Sequence, residues 1–157
     1  MQQLFDAIKK QNIDAIANIV RLYPESINSR DTRGFTPLIM ASYTGNYQIT
    51  NLLLDRGADI DDRDAAGNTA LIGVAFKGYT DIANILLLRG AEVNAINKMG
   101  ATALIYATAY GQTEIVDMLI ANGSDIHVAD QDKKTALDHA KDQGNKVLEE
   151  KLVELMN

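Results

Sequence analysis

The chain has no cysteine and no tryptophan, and among its 157 residues only two prolines, two histidines and three phenylalanines. Without cysteine there is no disulfide, no thiolate metal site and no cysteine nucleophile, and no residue that reports on the redox compartment. Two prolines and eleven glycines are too few for a collagen-like or low-complexity chain. Basic charge is also short: 15 Lys and Arg face 21 Asp and Glu, a net −6. An acidic chain repels phosphate backbones and anionic bilayers, which argues against nucleic-acid and membrane partners. The longest apolar run, glycine included, is Ala70 to Phe76, far below the ~20 residues of a membrane span. The opening MQQLFDAIKKQ has no apolar core of signal-peptide length. The expected location is the cytoplasm, with periplasm or secretion as the alternative if a targeting segment precedes the chain.

What is present repeats. Gly34, Gly67 and Gly100 are 33 residues apart, and Thr36, Thr69, Thr102 and Thr135 follow at the same spacing. So do Leu38, Leu71, Leu104 and Leu137, and Gly45, Gly78, Gly111 and Gly144. Gly57, Gly90 and Gly123 form a fifth column, and Ile49, Ile82, Ile115 and Leu148 a sixth. Six columns in one phase define units at 31–63, 64–96 and 97–129, with a shorter one at 130–157. Counting back, residues 1–30 fit as a further unit, with Leu4, Ile16 and Ile27 standing for the columns of Leu38, Ile49 and Ile60.

Each unit reads as turn, helix, turn, helix. Asp31 to Gly34 has turn composition, Thr36 suits an N-cap, and Pro37 at the first helical position loses no needed N–H. A short helix is expected to about Thr44, ending at Gly45, and a second from Tyr47 to Asp55, ending at Gly57. Ile49, Leu52 and Leu53 share one face of it, as do Ile82, Ile85 and Leu86, and Ile115, Met118 and Leu119. Neither helix buries its apolar face alone, whereas stacked units share one core.

The run Gly34-Phe-Thr-Pro-Leu38, then Gly45, then Leu53-Leu-Asp-Arg-Gly57-Ala-Asp-Ile60 resembles an ankyrin repeat, and Gly90-Ala-Glu-Val-Asn-Ala95 is similar to the family's tail. The resemblance covers essentially the whole chain. There are departures. The family's usual His after Thr-Pro-Leu is replaced by Ile39, Ile72, Ile105 and Asp138, and Pro survives only at Pro37. The tail turn Ser124 to His127 reads as irregular. The resemblance implies an all-α solenoid of helix-turn-helix units joined by β-turns. The polar first and last units read as caps on three full repeats, one single-domain folding unit over 1–157. Thr135 and Asp138 have the spacing of a capping box.

Catalytic patterns are missing from the sequence. His127 and His139 have no metal-ligand spacing, and Asp138 and His139, adjacent on a helix, point about 100° apart. Both histidines read as structural or solvated. The glycines form no phosphate-binding loop. Counting from Asp59, the acidic cluster Asp59, Asp61, Asp62 and Asp64 has neither the glycine nor the glutamate of a calcium loop and reads as a solvated turn. Asn122-Gly-Ser124 matches a glycosylation sequon but coincides with a helix end. No cofactor and no metal are expected.

A surface remains. The family resemblance implies partner contacts from turn tips and first helices, on a concave face. Here these positions include Arg33, Phe35, Tyr43, Asn68, Phe76, Lys77, Lys98, Met99 and Tyr110. Tyr43 and Phe76 are 33 apart and so lie on adjacent units, with Tyr110 one position past the next member of that column. Large apolar groups in a row are a common mark of a contact site. The competing reading is that they pack between neighbouring first helices. The expectation is a monomeric, non-catalytic module that binds a protein partner. The alternatives are a dedicated inhibitor or immunity-type protein and, from another class, a hydrolase or metal-dependent enzyme.

Overall fold

The computed structural model describes residues 2–157, so Met1 of the first expected unit lies outside the described residues. Among the described residues there are ten α-helices, one 3-10 turn and no strand. The helices come in pairs: α1 Gln2–Lys9 and α2 Ile13–Leu22, followed by the 3-10 turn Pro24–Asn28; α3 Pro37–Tyr43 and α4 Tyr47–Asp55; α5 Ala70–Lys77 and α6 Thr80–Leu88; α7 Ala103–Ala109 and α8 Thr113–Ala121; α9 Ala136–Asp142 and α10 Lys146–Met156.

Local chemistry explains the helix starts. The hydroxyls of Thr36, Thr69, Thr102 and Thr135 each accept the amide N–H three residues on, capping α3, α5, α7 and α9. Thr135 and Asp138 complete the expected capping box. Asn12, Asn46 and Asn145 cap α2, α4 and α10 in the same manner. The first unit is out of step by one residue. Leu4 lies 34 residues before Leu38, so the 33-residue position belongs to Phe5, and both side chains are buried. Gln11 takes the left-handed turn that Gly45 takes in the next unit, at φ 54° against 78°.

The columns form one core. Leu38, Leu71 and Leu104 are buried, as are Ile49, Ile82, Ile115 and Leu148, whereas Leu137 in the last unit is only partly covered. The isoleucines in place of the family's histidine, Ile39, Ile72 and Ile105, are buried too and extend the apolar core. Helices α5, α7 and α9 carry small buried residues (Ala70, Ala75, Ala103, Ala107, Ala136 and Ala140). Neighbouring odd-numbered helices from α3 to α9 therefore pack closely, while the even-numbered helices α4, α6 and α8 touch more sparingly. Closer packing on one side bends a stack toward that side.

Polar ladders run between units at the repeat spacing. The side-chain oxygens of Asn28, Asp61 and Asn94 accept the amide N–H of Asp59, Glu92 and Asp125 at 2.9, 2.8 and 2.8 Å. The last of these corrects the expectation of an irregular tail turn at Ser124 to His127, which is tied to its neighbour as the others are. On the outer side Arg89 pairs with Asp55 at 2.5 Å, and Lys151 pairs with Asp117.

Candidate protein-binding face

The face starts from four turns. Asp31, Asp64, Asn97 and Asp130 stand 33 residues apart. In each, Oδ1 accepts two amide N–H groups, from the second and fourth residues on, at 2.9–3.0 Å. Adjacent tips also bond directly: Lys98 N–H donates to the Ala66 carbonyl at 3.1 Å, and Gln131 N–H to that of Met99 at 2.8 Å. Such close stacking demands glycine at Gly34, where φ is 77° and a Cβ would lie 2.9 Å from the Ala65 nitrogen.

The second carboxylate or amide atom of each turn residue meets a different neighbour. Asp31 Oδ2 takes the Arg33 guanidinium at 3.3 Å. Asp64 Oδ2 takes Asn68 Nδ2 at 3.3 Å. The buried Asn97 donates through Nδ2 to Asn68 Oδ1 at 2.9 Å and to the Tyr106 hydroxyl at 3.0 Å. Asp130 Oδ2 accepts from His139 Nε2 at 2.8 Å. Burial alone would raise the Asp130 carboxyl. The hydrogen bonds from His139 and from the amides of Lys134 and Asp132 outweigh that, and it stays below the usual range. Asp31 behaves alike: burial raises it, and bonds from the Phe35 and Arg33 amides and the Arg33 side chain bring it down further. His139 thus finds its carboxylate nine residues away and not at the adjacent Asp138, which is occupied with the Thr135 cap. The Asp-His pair has the orientation of a catalytic base and its orienter. The hydroxyls lining the cleft in front of it belong to Tyr106 and Tyr110, and no serine or threonine lies there.

The aromatics form a connected row. Phe35 meets Tyr43 edge-on with centroids 6.1 Å apart, and Tyr43 lies parallel to Phe76 at 6.5 Å. Phe76 meets Tyr106 at 6.2 Å and Tyr110 at 4.5 Å, both edge-on. Phe35, Tyr43 and Phe76 are half-buried through these contacts, while Tyr110 and Met99 are 55% and 47% exposed. Arg33 sits over the Phe35 ring at 4.4 Å and Lys77 over the Tyr43 ring at 5.2 Å. Two of the three expected rim cations are therefore engaged by the chain's own rings. Lys98, exposed at a turn tip, makes no side-chain bond or ion pair among the described residues. Asn68 is tied into the Asp64–Asn97–Tyr106 network and presents little to a partner. Tyr106 and His139 were not expected on this face. Their signal is the column Met40, Gly73, Tyr106, His139, the one column whose members differ most in size and chemistry.

Two hollows flank Phe76 and Tyr110. One of about 290 Å³ lies between Tyr43, Gly73 and Tyr106. The other, about 400 Å³, lies between α7 and α9, lined by Met99, Tyr106, Tyr110, Asp130, Asp132 and His139 among others.

A scan against protein-family models finds ankyrin repeats (3 copies) over residues 4–97 and again over 71–155. The chain belongs to the ankyrin-repeat family. Ankyrin repeats are in general protein–protein interaction modules and typically not catalytic. No described helix of this ankyrin-repeat chain is long and apolar enough to cross a membrane. The carboxylates of Asp61, Asp62 and Asp64 each accept hydrogen bonds from the chain's own turns or from Arg30.

Proposed function

We propose that this ankyrin-repeat chain is a non-catalytic module that binds a protein partner on its concave face, across Tyr43, Phe76 and Tyr110. Phe35 and Met99 extend the apolar strip, and Arg33, Lys77 and Lys98 form its basic rim, with Asn68 behind it. The observation that carries the reading is the unbroken row of rings across three units, ending in the exposed Tyr110. A row of this kind offers large contact area at little entropic cost. In this reading the module acts as a monomer in the cytoplasm without cofactor, and its net −6 charge keeps it off nucleic acid and anionic membrane.

The test is quantitative capture of partners from cell extract by the wild-type chain and by Phe76→Ala. A partner bound at this face is weakened about 30-fold, the ~2 kcal/mol typical of an aromatic anchor. Asn84→Ala, on the outer helix α6, leaves the same partner's affinity unchanged. Affinity that follows Asn84 and ignores Phe76 places the interface elsewhere.

A further inference from the structure

Along the aromatic row the protein pairs its rings with its own cations, and then the pairing stops. Phe35 has Arg33 and Tyr43 has Lys77. Among the described residues no lysine or arginine stands over Tyr106 or Tyr110. These two rings, 6.5 Å apart, form one wall of the 400 Å³ cleft between α7 and α9. The opposite wall carries two carboxylates, Asp130 and Asp132, and no lysine or arginine lines the cleft. Lys134, close by in the chain, is turned to Asp142 at 2.5 Å. Asp130 is held as the carboxylate by the amides of its turn and by His139. Asp132 is exposed, and its carboxylate receives no hydrogen bond among the described residues. The cleft thus offers an aromatic face, a thioether at Met99 and an unpaired carboxylate, with net negative charge.

We propose that the cleft between α7 and α9 takes an arginine side chain from the bound partner, stacked on Tyr110 and paired with Asp132. The inference rests on the concave-face reading and names the chemistry of one contact within it. Arginine fits better than lysine because its planar guanidinium stacks on an aromatic ring and presents a fork to a carboxylate at once. The volume lies at the low end of the ~300–1,000 Å³ of small-ligand pockets, enough for one long side chain and its flanking backbone.

The experiment uses the full chain and three small probes: N-acetyl-arginine methylamide, its lysine counterpart and its citrulline counterpart, a neutral isostere of arginine. Amide chemical shifts are followed by NMR. The expected result is saturable, millimolar binding of the arginine probe with shifts confined to Met99, Tyr110, Gln131, Asp132 and their neighbours. The lysine probe binds more weakly, and the citrulline probe about tenfold more weakly. Asp132→Asn lowers arginine affinity at least about threefold with unchanged thermal stability. Absence of saturable shifts, equal binding of citrulline, or lysine binding as tight as arginine overturns the proposal. A captured partner whose affinity depends on Phe76 but not on Asp132, nor on any of its own arginines, overturns it while leaving the concave-face reading intact. Arginine binding without any Phe76-dependent partner does the reverse.

Discussion

Between the second and third units the inner face is filled, and between the fourth and fifth it is open. In the filled region Gly73 withdraws its side chain, so that Tyr43 comes within 3.3 Å of where a Cβ would stand and lies parallel to Phe76. Lys77 covers it. In the open region Tyr106 and Tyr110 face α9, where the row ends at His139, Asp142 and Gln143. His139 turns to Asp130 and leaves the rings uncovered. The same repeat backbone therefore yields a packed ladder at one place and a polar-walled cleft at the other. The choice at a single column, glycine at 73 against tyrosine at 106 and histidine at 139, makes the difference.

The largest expected effect would remove both regions at once. Leu71 is 1% exposed in the column shared with Leu38 and Leu104, and Leu71→Ala should cost about 2–5 kcal/mol in denaturant unfolding. A loss below about 1 kcal/mol would mean that the two regions do not hang on a common core.

A pair of swaps sharpens the comparison at the turns. Asn97→Asp keeps Oδ1 for its two amides but replaces the buried Nδ2 donor to Asn68 and Tyr106 with an acceptor. It should cost about 1–3 kcal/mol, the penalty of an unmet buried polar group. Asp130→Asn is milder, because the amide meets His139, whose ring accepts once its proton moves to the other nitrogen. Equal losses from the two swaps would show that the turns do not differ in their inner partner.

Acid should act on the open end first. The carboxyls of Asp31, Asp130 and Asp138 are all held below their ordinary 3.8, and two of the three belong to the last unit. For Asp138 the leading cause is the Thr135 amide, then its hydroxyl. A depressed folded value stabilises the fold above the unfolded pKa and loses that contribution as pH falls through the folded one. Amide exchange should therefore be independent of these carboxyls above about pH 5. Below 3.8, opening should rise earliest in α9 and its turn. Uniform opening across the units would contradict this.

The smallest effect concerns Lys77. Its ammonium lies over Tyr43 at the surface, and Lys77→Ala should lower stability by about 0.5–1 kcal/mol. Partner binding should change mainly through a slower on-rate at low salt.

Much of the fold was legible from spacing. The threonine caps, the glycine turn ends and the apolar columns are local or strictly periodic features, and stacking identical backbones leaves them one arrangement. The first unit was read one residue out of step, because its turn uses Gln11 at positive φ where the period predicts glycine. The site was legible only in part. Tyr43, Phe76 and Tyr110 do fall in one row, but Asn68 proves to be an internal strut, and Arg33 and Lys77 are partly claimed by Phe35 and Tyr43. Tyr106 and His139 were passed over because the reading followed positions that the family uses, and theirs is not one of them.

The sequence by itself determined the helices, their caps, the repeat length and the shared core, since each depends on residues within one unit or one period away. Only the tertiary structure decided which side chains remain free. That outcome depends on rings and charges from three successive units meeting at a few ångströms, as Asn97 does with Asn68 and Tyr106, and Asp130 with His139. Periodicity sets which units are neighbours, but the distance and orientation of side chains across the gap follow from how closely the helices pack.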